Sequence, residues 1–246
     1  MTTTPSLGTS VKNTSVAPAP SYQDILRKLL KEDERFVVMT AENRGAIRNL
    51  PNEIGDRFFD TGITEQTMIG AAAGLALRGR IPITHALATF LTLRAFEFIR
   101  SDVGIGKLPV KMVGAVPGFL SEANGPTHQA IEDVSILRGI PNINVFCPAD
   151  DEDMALGLEA VLKAPEAYYV RYNSRKAIVP HGKFEIGKAE TFAEKPSQTR
   201  PIGILTYGTL FTECFHAKTE LESKGHSVRL LNLRTVKPVD EVALLK

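Results

Sequence analysis

From residue 21 onward, stretches with helical spacing alternate with short runs of β-branched and aromatic residues. That alternation is the mark of a parallel sheet wrapped by helices, because parallel neighbours need crossover connections and each crossover helix covers a sheet face. The expected class is α/β, a doubly wound parallel sheet. Strands are predicted at 35–40, 57–60, 81–85, 110–116, 144–147 and 167–172, with helices at 21–32, 65–78, 90–102, 128–138 and 150–163. The helix over 65–78 is the best marked. Thr64 can cap it, Met68, Ile69, Ala72, Ala73 and Ala76 form its packing face, and Gly79 can end it.

Residues 176–200 are polar and broken by Gly and Pro, which predicts a linker between a first domain over 21–180 and a second unit over 195–246. The second unit opens with the strand pattern PIGILTYG, continues through a helix near 209–224 and reaches SVRLLNL. One βαβ unit cannot bury both faces of a parallel sheet, so this domain reads as truncated or as completed by another chain. Residues 1–20, rich in Ser, Thr and Pro without periodicity, read as a disordered tail. They carry neither the Arg nor the amphipathic face of a transit peptide.

Charge narrows the function. With 29 basic and 28 acidic residues the chain has no global field to draw nucleic acid or a membrane surface, so any phosphate recognition must be local. No apolar run approaches the roughly 20 residues of a spanning helix. The two cysteines, Cys147 and Cys214, lie far apart and suggest neither a disulfide framework nor a metal site, which fits a reduced cytoplasmic setting.

Three segments carry chemistry. The first, DTGITEQ, places Glu65 in the first turn of a helix directly after a strand, a position any acidic residue favours. The second, ATFLTLRAFEFIR over 88–100, is aromatic at Phe90 and Phe96, as a flat ligand wall or an amphipathic core helix would be. The third, GPTHQAIED over 125–133, predicts a loop that ends at a helix start with His128 facing a bound substrate, where an imidazole can donate to an oxygen or move protons near neutral pH.

Taken together and in this order, the three segments resemble those of the transketolase family of thiamine-diphosphate enzymes, which includes deoxyxylulose-phosphate synthases and the β subunits of 2-oxoacid dehydrogenases. The resemblance covers about residues 35–175 and implies the pyrimidine-binding domain of that family. It implies that Glu65 contacts the cofactor aminopyrimidine, where a carboxylate favours the imino tautomer that can remove the thiazolium proton. It further implies that Phe90 and Phe96 hold the pyrimidine ring and that His128 attends the substrate. Glu42, in MTAENRG, stands near the place of a family Asp close to the cofactor.

Departures from the family pattern bear on the substrate. Glu122, Ala123 and Asn124 replace the Glu-Asp that commonly precedes Gly-Pro, and Leu93 replaces a frequent aromatic. Asn124 can donate where Asp only accepts, so acceptor preference is expected to differ. YYVRYNSRK resembles a strand end with two phosphate-binding arginines three apart, but Arg171 and Arg175 are four apart. Either a bulge redirects Arg175 or the phosphate site is altered.

The Gly-Asp-Gly segment that holds Mg²⁺ and the diphosphate in this family is missing. Gly55-Asp56-Arg57 replaces it poorly, since an Arg beside the ligand Asp competes with the metal. No metal ligand is therefore assigned to this chain. The resemblance implies a split enzyme: thiamine diphosphate and Mg²⁺ as cofactors, metal ligands on an N-terminal diphosphate-binding partner subunit, an α2β2 assembly, and ketol transfer between sugars or sugar phosphates. Alternatives are a deoxyxylulose-phosphate synthase-like role, a 2-oxoacid dehydrogenase β-like role, or a non-catalytic regulatory subunit.

Overall fold

The computed structural model describes residues 20–195 and 200–246, so the expected tail at 1–20 lies almost wholly outside the described residues. The first part of the chain runs α1 (Tyr22–Glu32), β1 (Phe36–Thr40), α2 (Leu50–Ile54), β2 (Phe58–Asp60), α3 (Glu65–Leu77) and β3 (Ile81–Leu87). It continues with α4 (Phe96–Phe98), β4 (Lys111–Ala115), α5 (Asp133–Arg138), β5 (Ile143–Phe146), α6 (Asp151–Lys163) and β6 (Ala167–Tyr172). After these come β7 (Glu190–Phe192), β8 (Ile202–Thr206), α7 (Phe211–Ser223), β9 (Val228–Asn232), β10 (Thr235–Lys237) and α8 (Glu241–Leu244).

Seven strands form one sheet in the order β10-β5-β6-β4-β3-β1-β2, parallel throughout except for β10 on the edge. Every residue of β1 and β4 is buried, as expected for strands covered on both faces. Alternate residues of one strand serve opposite cores. Met39, Met112 and Tyr169 pack with α3 and α5, whereas Val38, Val113, Tyr168 and Val170 pack with α1 and α6. The sheet is doubly wound, as the sequence pattern predicts.

The termini of α1 and α6 are closed by their own side chains. Ser21 and Asp24 form a reciprocal capping box, and Asp150 accepts from the backbone N–H groups of Glu152 and Asp153. Thr64 occupies the cap position of α3 but does not cap it; its hydroxyl donates to Thr61 O instead. α1 is tied to the sheet through His85. Burial lowers that imidazole to about 4 and keeps it neutral, so Nδ1–H donates to Met39 O at 3.1 Å and Nε2 accepts from the Tyr22 hydroxyl at 2.8 Å.

Three expectations change. The helix expected at 90–102 is wound largely as π-helix, over Phe90–Arg94 and Ile99–Ile105 on either side of α4. The helix expected at 128–138 starts only at Asp133, which leaves His128 in a 3₁₀ turn formed by Pro126–His128. The expected linker is only partly solvated. Phe184 is buried against Phe146, the His181 ring is enclosed, and β7 pairs with β9.

The second unit is a three-stranded sheet of order β7-β9-β8 with α7 against it. β10 then leaves this unit and joins β5 antiparallel, so the two sheets are stitched by the chain itself. Ile202, Leu205 and Leu210 remain exposed on the second unit.

Candidate active site

The carboxyl ends of the parallel strands gather the chemistry. Parallel strands all end on one side, and the loops that follow them converge there. Glu42 follows β1, Asp60 ends β2, Phe90 follows β3, the loop over 116–131 follows β4, and Arg175 follows β6.

Glu65 stands in the first turn of α3 with its side chain only 2% exposed. Its Oε2 accepts from Arg94 Nη1 at 2.9 Å, and Arg94 is itself 39% exposed. The same guanidinium lies over the Phe90 ring, 4.2 Å from its centre. The edge of the His128 ring meets Phe90 with centroids 5.0 Å apart and planes at 71°. Glu65, Arg94, Phe90 and His128 therefore form one continuous group, from a buried carboxylate through an aromatic face to a half-exposed imidazole. The His128 Nδ1 lies 3.0 Å from the Thr127 hydroxyl, which steadies the ring.

The remaining expected site residues divide. Phe96 is half-buried and packs against the core on the α3 side of the sheet. The π-turns shift side-chain directions relative to an α-helix, so the six-residue spacing of Phe90 and Phe96 is read on a wider helix than expected. Asn124 is exposed and donates to Ser121 Oγ at 2.9 Å. Glu42 is exposed, has a φ of 72°, and gives its backbone N–H to Asp60 Oδ1 at 3.2 Å.

Glu42, Arg44, Gly45, Arg48 and Asp60 surround an open hollow of about 580 Å³. Partial burial opposes ionisation of Asp60, but Arg44 and the N–H groups of Gly62 and Glu42 outweigh it and hold the carboxyl below its ordinary range.

The two arginines do not act as a pair. β6 ends at Tyr172 and Asn173 turns the chain, so Arg175 lies beyond the strand, exposed. Arg171 is buried instead. Its Nε donates to Asp133 Oδ2 at 2.8 Å and its Nη2 to Asp133 Oδ1 at 3.3 Å, so the Nε–Nη2 edge of the guanidinium is taken by Asp133. Arg171 is thus engaged by Asp133 and does not stand beside Arg175.

Sequence reasoning overlooked Arg94 and Asp133. Arg94 follows Phe90 by four positions, a spacing that brings side chains together on a helix and could have signalled the contact. Asp133 closes the GPTHQAIED segment, but its partners lie 36 and 38 residues away, beyond any local pattern.

The donor set suits an aminopyrimidine. A buried carboxylate paired with a part-exposed guanidinium, beside an aromatic face, offers a hydrogen-bond acceptor and a flat wall together. Among the described residues no group of three or more His, Cys, Asp or Glu is placed to hold a metal ion. Among the same residues no helix is long and apolar enough to cross a membrane.

Comparison with known proteins decides the family. Residues 15–177 match the transketolase pyrimidine binding domain and residues 192–246 the transketolase C-terminal domain. The chain belongs to the transketolase family. It is 35% identical over 231 residues to the 6-deoxy-6-sulfo-D-fructose transketolase subunit SqwH of a Clostridium species, covering 92% of this chain and 70% of that protein. It is 29% identical over 242 residues to an apulose-4-phosphate transketolase subunit of Phocaeicola vulgatus, covering 95% and 76%. A solved split-gene transketolase, described as an inactive β4 tetramer, superposes with a TM-score of 0.76 at 29% identity, covering 91% of this chain and 73% of that one.

Membership in the transketolase family implies dependence on thiamine diphosphate, and family relatives include split subunits that are transferases. Glu65, Phe90 and His128 are the residues of this transketolase-family chain that its structure brings together.

Proposed function

We propose that this chain is the pyrimidine-binding subunit of a two-chain transketolase and transfers a two-carbon ketol unit between sugar or sugar-phosphate substrates. The observation that carries the reading is the contiguity of the Glu65 carboxylate, the Phe90 face and the His128 imidazole at the carboxyl end of the sheet. Glu65 and Phe90 would hold the aminopyrimidine of thiamine diphosphate, which when bound would supply nucleophilic chemistry toward a ketone. Glu65 would hydrogen-bond a nitrogen of that ring and, with Phe90, orient it. His128, half-exposed at the mouth, donates to or takes protons from substrate oxygens. Asn124 lines the same loop, and the exposed Arg175, with Arg44 and Arg48 across the mouth, offers cationic groups to an anionic substrate end.

In this reading Mg²⁺ and the diphosphate are held by an N-terminal partner subunit, in an α2β2 assembly working in the cytoplasm. The split relatives support it, because each is itself named as a subunit. A deoxyxylulose-phosphate synthase-like reaction is the second reading. The chain is 36% identical over 239 residues to such a synthase from Caldanaerobacter subterraneus, although it spans only 37% of that enzyme.

The test is reconstitution with the diphosphate-binding subunit, Mg²⁺ and thiamine diphosphate. Ketol transfer from a ketose phosphate without pyruvate decarboxylation supports the first reading, and pyruvate-dependent condensation supports the second. Neither activity in a stably assembled complex leaves a regulatory subunit.

A further inference from the structure

Arg171 is a buried cation with an unusual set of partners. Beyond the two bonds to Asp133, its Nη2 donates to Ala130 O at 3.2 Å. The Asp133 carboxylate, fully buried, also accepts from the Tyr169 hydroxyl at 2.7 Å. Burial, with the Asp133 charge beside it, pushes the Tyr169 phenol well up, so it remains a donor. Ala130 in turn exchanges two backbone hydrogen bonds with Gly118, at 2.9 and 3.0 Å, which closes the loop carrying Asn124 and His128 into a ring.

The guanidinium sits between two glycines in left-handed conformation. A Cβ on Gly118, at φ 63°, would stand 3.3 Å from Nη2, and a Cβ on Gly208, at φ 61°, would stand 3.3 Å from Nη1. Gly118 belongs to the loop after β4, whereas Gly208 lies in the second unit just after β8. The Tyr207 ring lies 5.9 Å from the same guanidinium, and Gly208 N–H donates to Cys147 O at the end of β5. One side chain thus touches the His128 loop on one side and the second unit on the other.

We propose that Arg171 is a positioning residue that fixes the loop of His128 and Asn124 and makes its geometry depend on how the second unit is seated. It acts through Asp133 and Ala130 and touches no substrate. The inference rests on the reading that His128 attends the substrate only for its consequence in catalysis; the coupling itself is a property of the chain. Guanidinium shape matters here because the Nε–Nη2 edge meets the carboxylate while Nη1 and Nη2 fill the two glycine slots, which an ammonium cannot do.

The experiment uses the full chain of wild type, Arg171→Lys and Tyr207→Leu. It reads the His128 ring resonances by NMR and the exchange rates of the Gly118 and Ala130 amides, with thermal unfolding as the control for folding. In wild type the His128 ring feels the Phe90 ring current. In Arg171→Lys that shift collapses toward an exposed histidine and both amides exchange roughly tenfold faster or more. Tyr207→Leu, altered only in the second unit, moves the same signals in the same direction by less. If Arg171→Lys does not fold, Tyr207→Leu alone decides.

Unchanged His128 shifts and unchanged exchange in folded variants would overturn the proposal. Shifts that move in a chain whose assembled complex transfers no ketol unit would leave the coupling intact and remove the transketolase reading instead. In an active complex, Arg171→Lys raises KM more than it lowers kcat, and a purely structural role would change only the amount of folded enzyme.

Discussion

Arg94 Nη1 donates to Glu65 Oε2 across 2.9 Å while its guanidinium covers the Phe90 ring at 4.2 Å, so one exposed side chain answers both groups that would receive the cofactor ring. Removing Arg94 leaves a nearly buried carboxylate without its partner, but water can enter where the side chain was. Arg94→Ala is expected to destabilise the chain by about 1–2 kcal/mol, less than for a fully buried pair. Urea unfolding of the two chains measures it, and an unchanged midpoint would count against the pair as a structural contact.

Glu65→Gln keeps the shape of the site and removes the negative charge. In the reconstituted complex, kcat should fall by about 10²–10⁴-fold, the scale of a lost acid–base group, with little change in thermal midpoint. Phe90→Ala should instead weaken thiamine diphosphate binding, measured by calorimetry, by about tenfold through loss of the aromatic wall. Full activity of Glu65→Gln would remove the carboxylate from the mechanism.

Two buried bases give opposite pH dependences. Burial works against a charged His181, but Asp150 at 2.8 Å and Glu190 at 2.7 Å outweigh it and raise the imidazole to about 10. Its folded value exceeds the unfolded one, so its stabilisation is complete below about pH 6.5 and is lost as pH rises toward 10, at about 1.4 kcal/mol per pH unit. Lys111 is the reverse. Burial lowers its ammonium to about 7, so this group penalises folding least above its unfolded value of about 10.5 and most below 7.

Between pH 7 and 9 the two slopes offset in the wild type. Relative to it, His181→Gln should gain stability with rising pH and Lys111→Met should lose it, each by about 1.4 kcal/mol per unit at most. Denaturant titrations at pH 7, 8 and 9 read the difference, and parallel curves for all three chains would refute both assignments.

Cys147 is fully buried, and burial pushes its thiol up to about 12, whereas Cys214 is partly exposed. A thiolate is the reactive form, so alkylation of the native chain at pH 8 should label Cys214 alone and label both in urea. Mass spectrometry of the digested protein checks this; rapid native labelling of Cys147 would mean that the end of β5 opens readily.

Much of the architecture is legible without coordinates. The apolar run of β1 and the helical spacing of α1, α3 and α6 report burial on local faces, and local burial is what periodicity records. Glu65 and His128 stand out as candidates for a different reason: each sits in a short segment whose residue types and order are themselves specific.

The chain's own sequence thus determined a doubly wound parallel sheet and the helices over α1, α3 and α6. Tertiary structure alone decided that 90–105 winds mostly as π-helix, that Arg171 pairs with Asp133, that His181 is enclosed between Asp150 and Glu190, and that β10 returns to the first sheet. The last three depend on partners distant in sequence. A buried charge takes whichever counter-charge the packed fold brings within reach, and spacing along the chain carries no record of that choice.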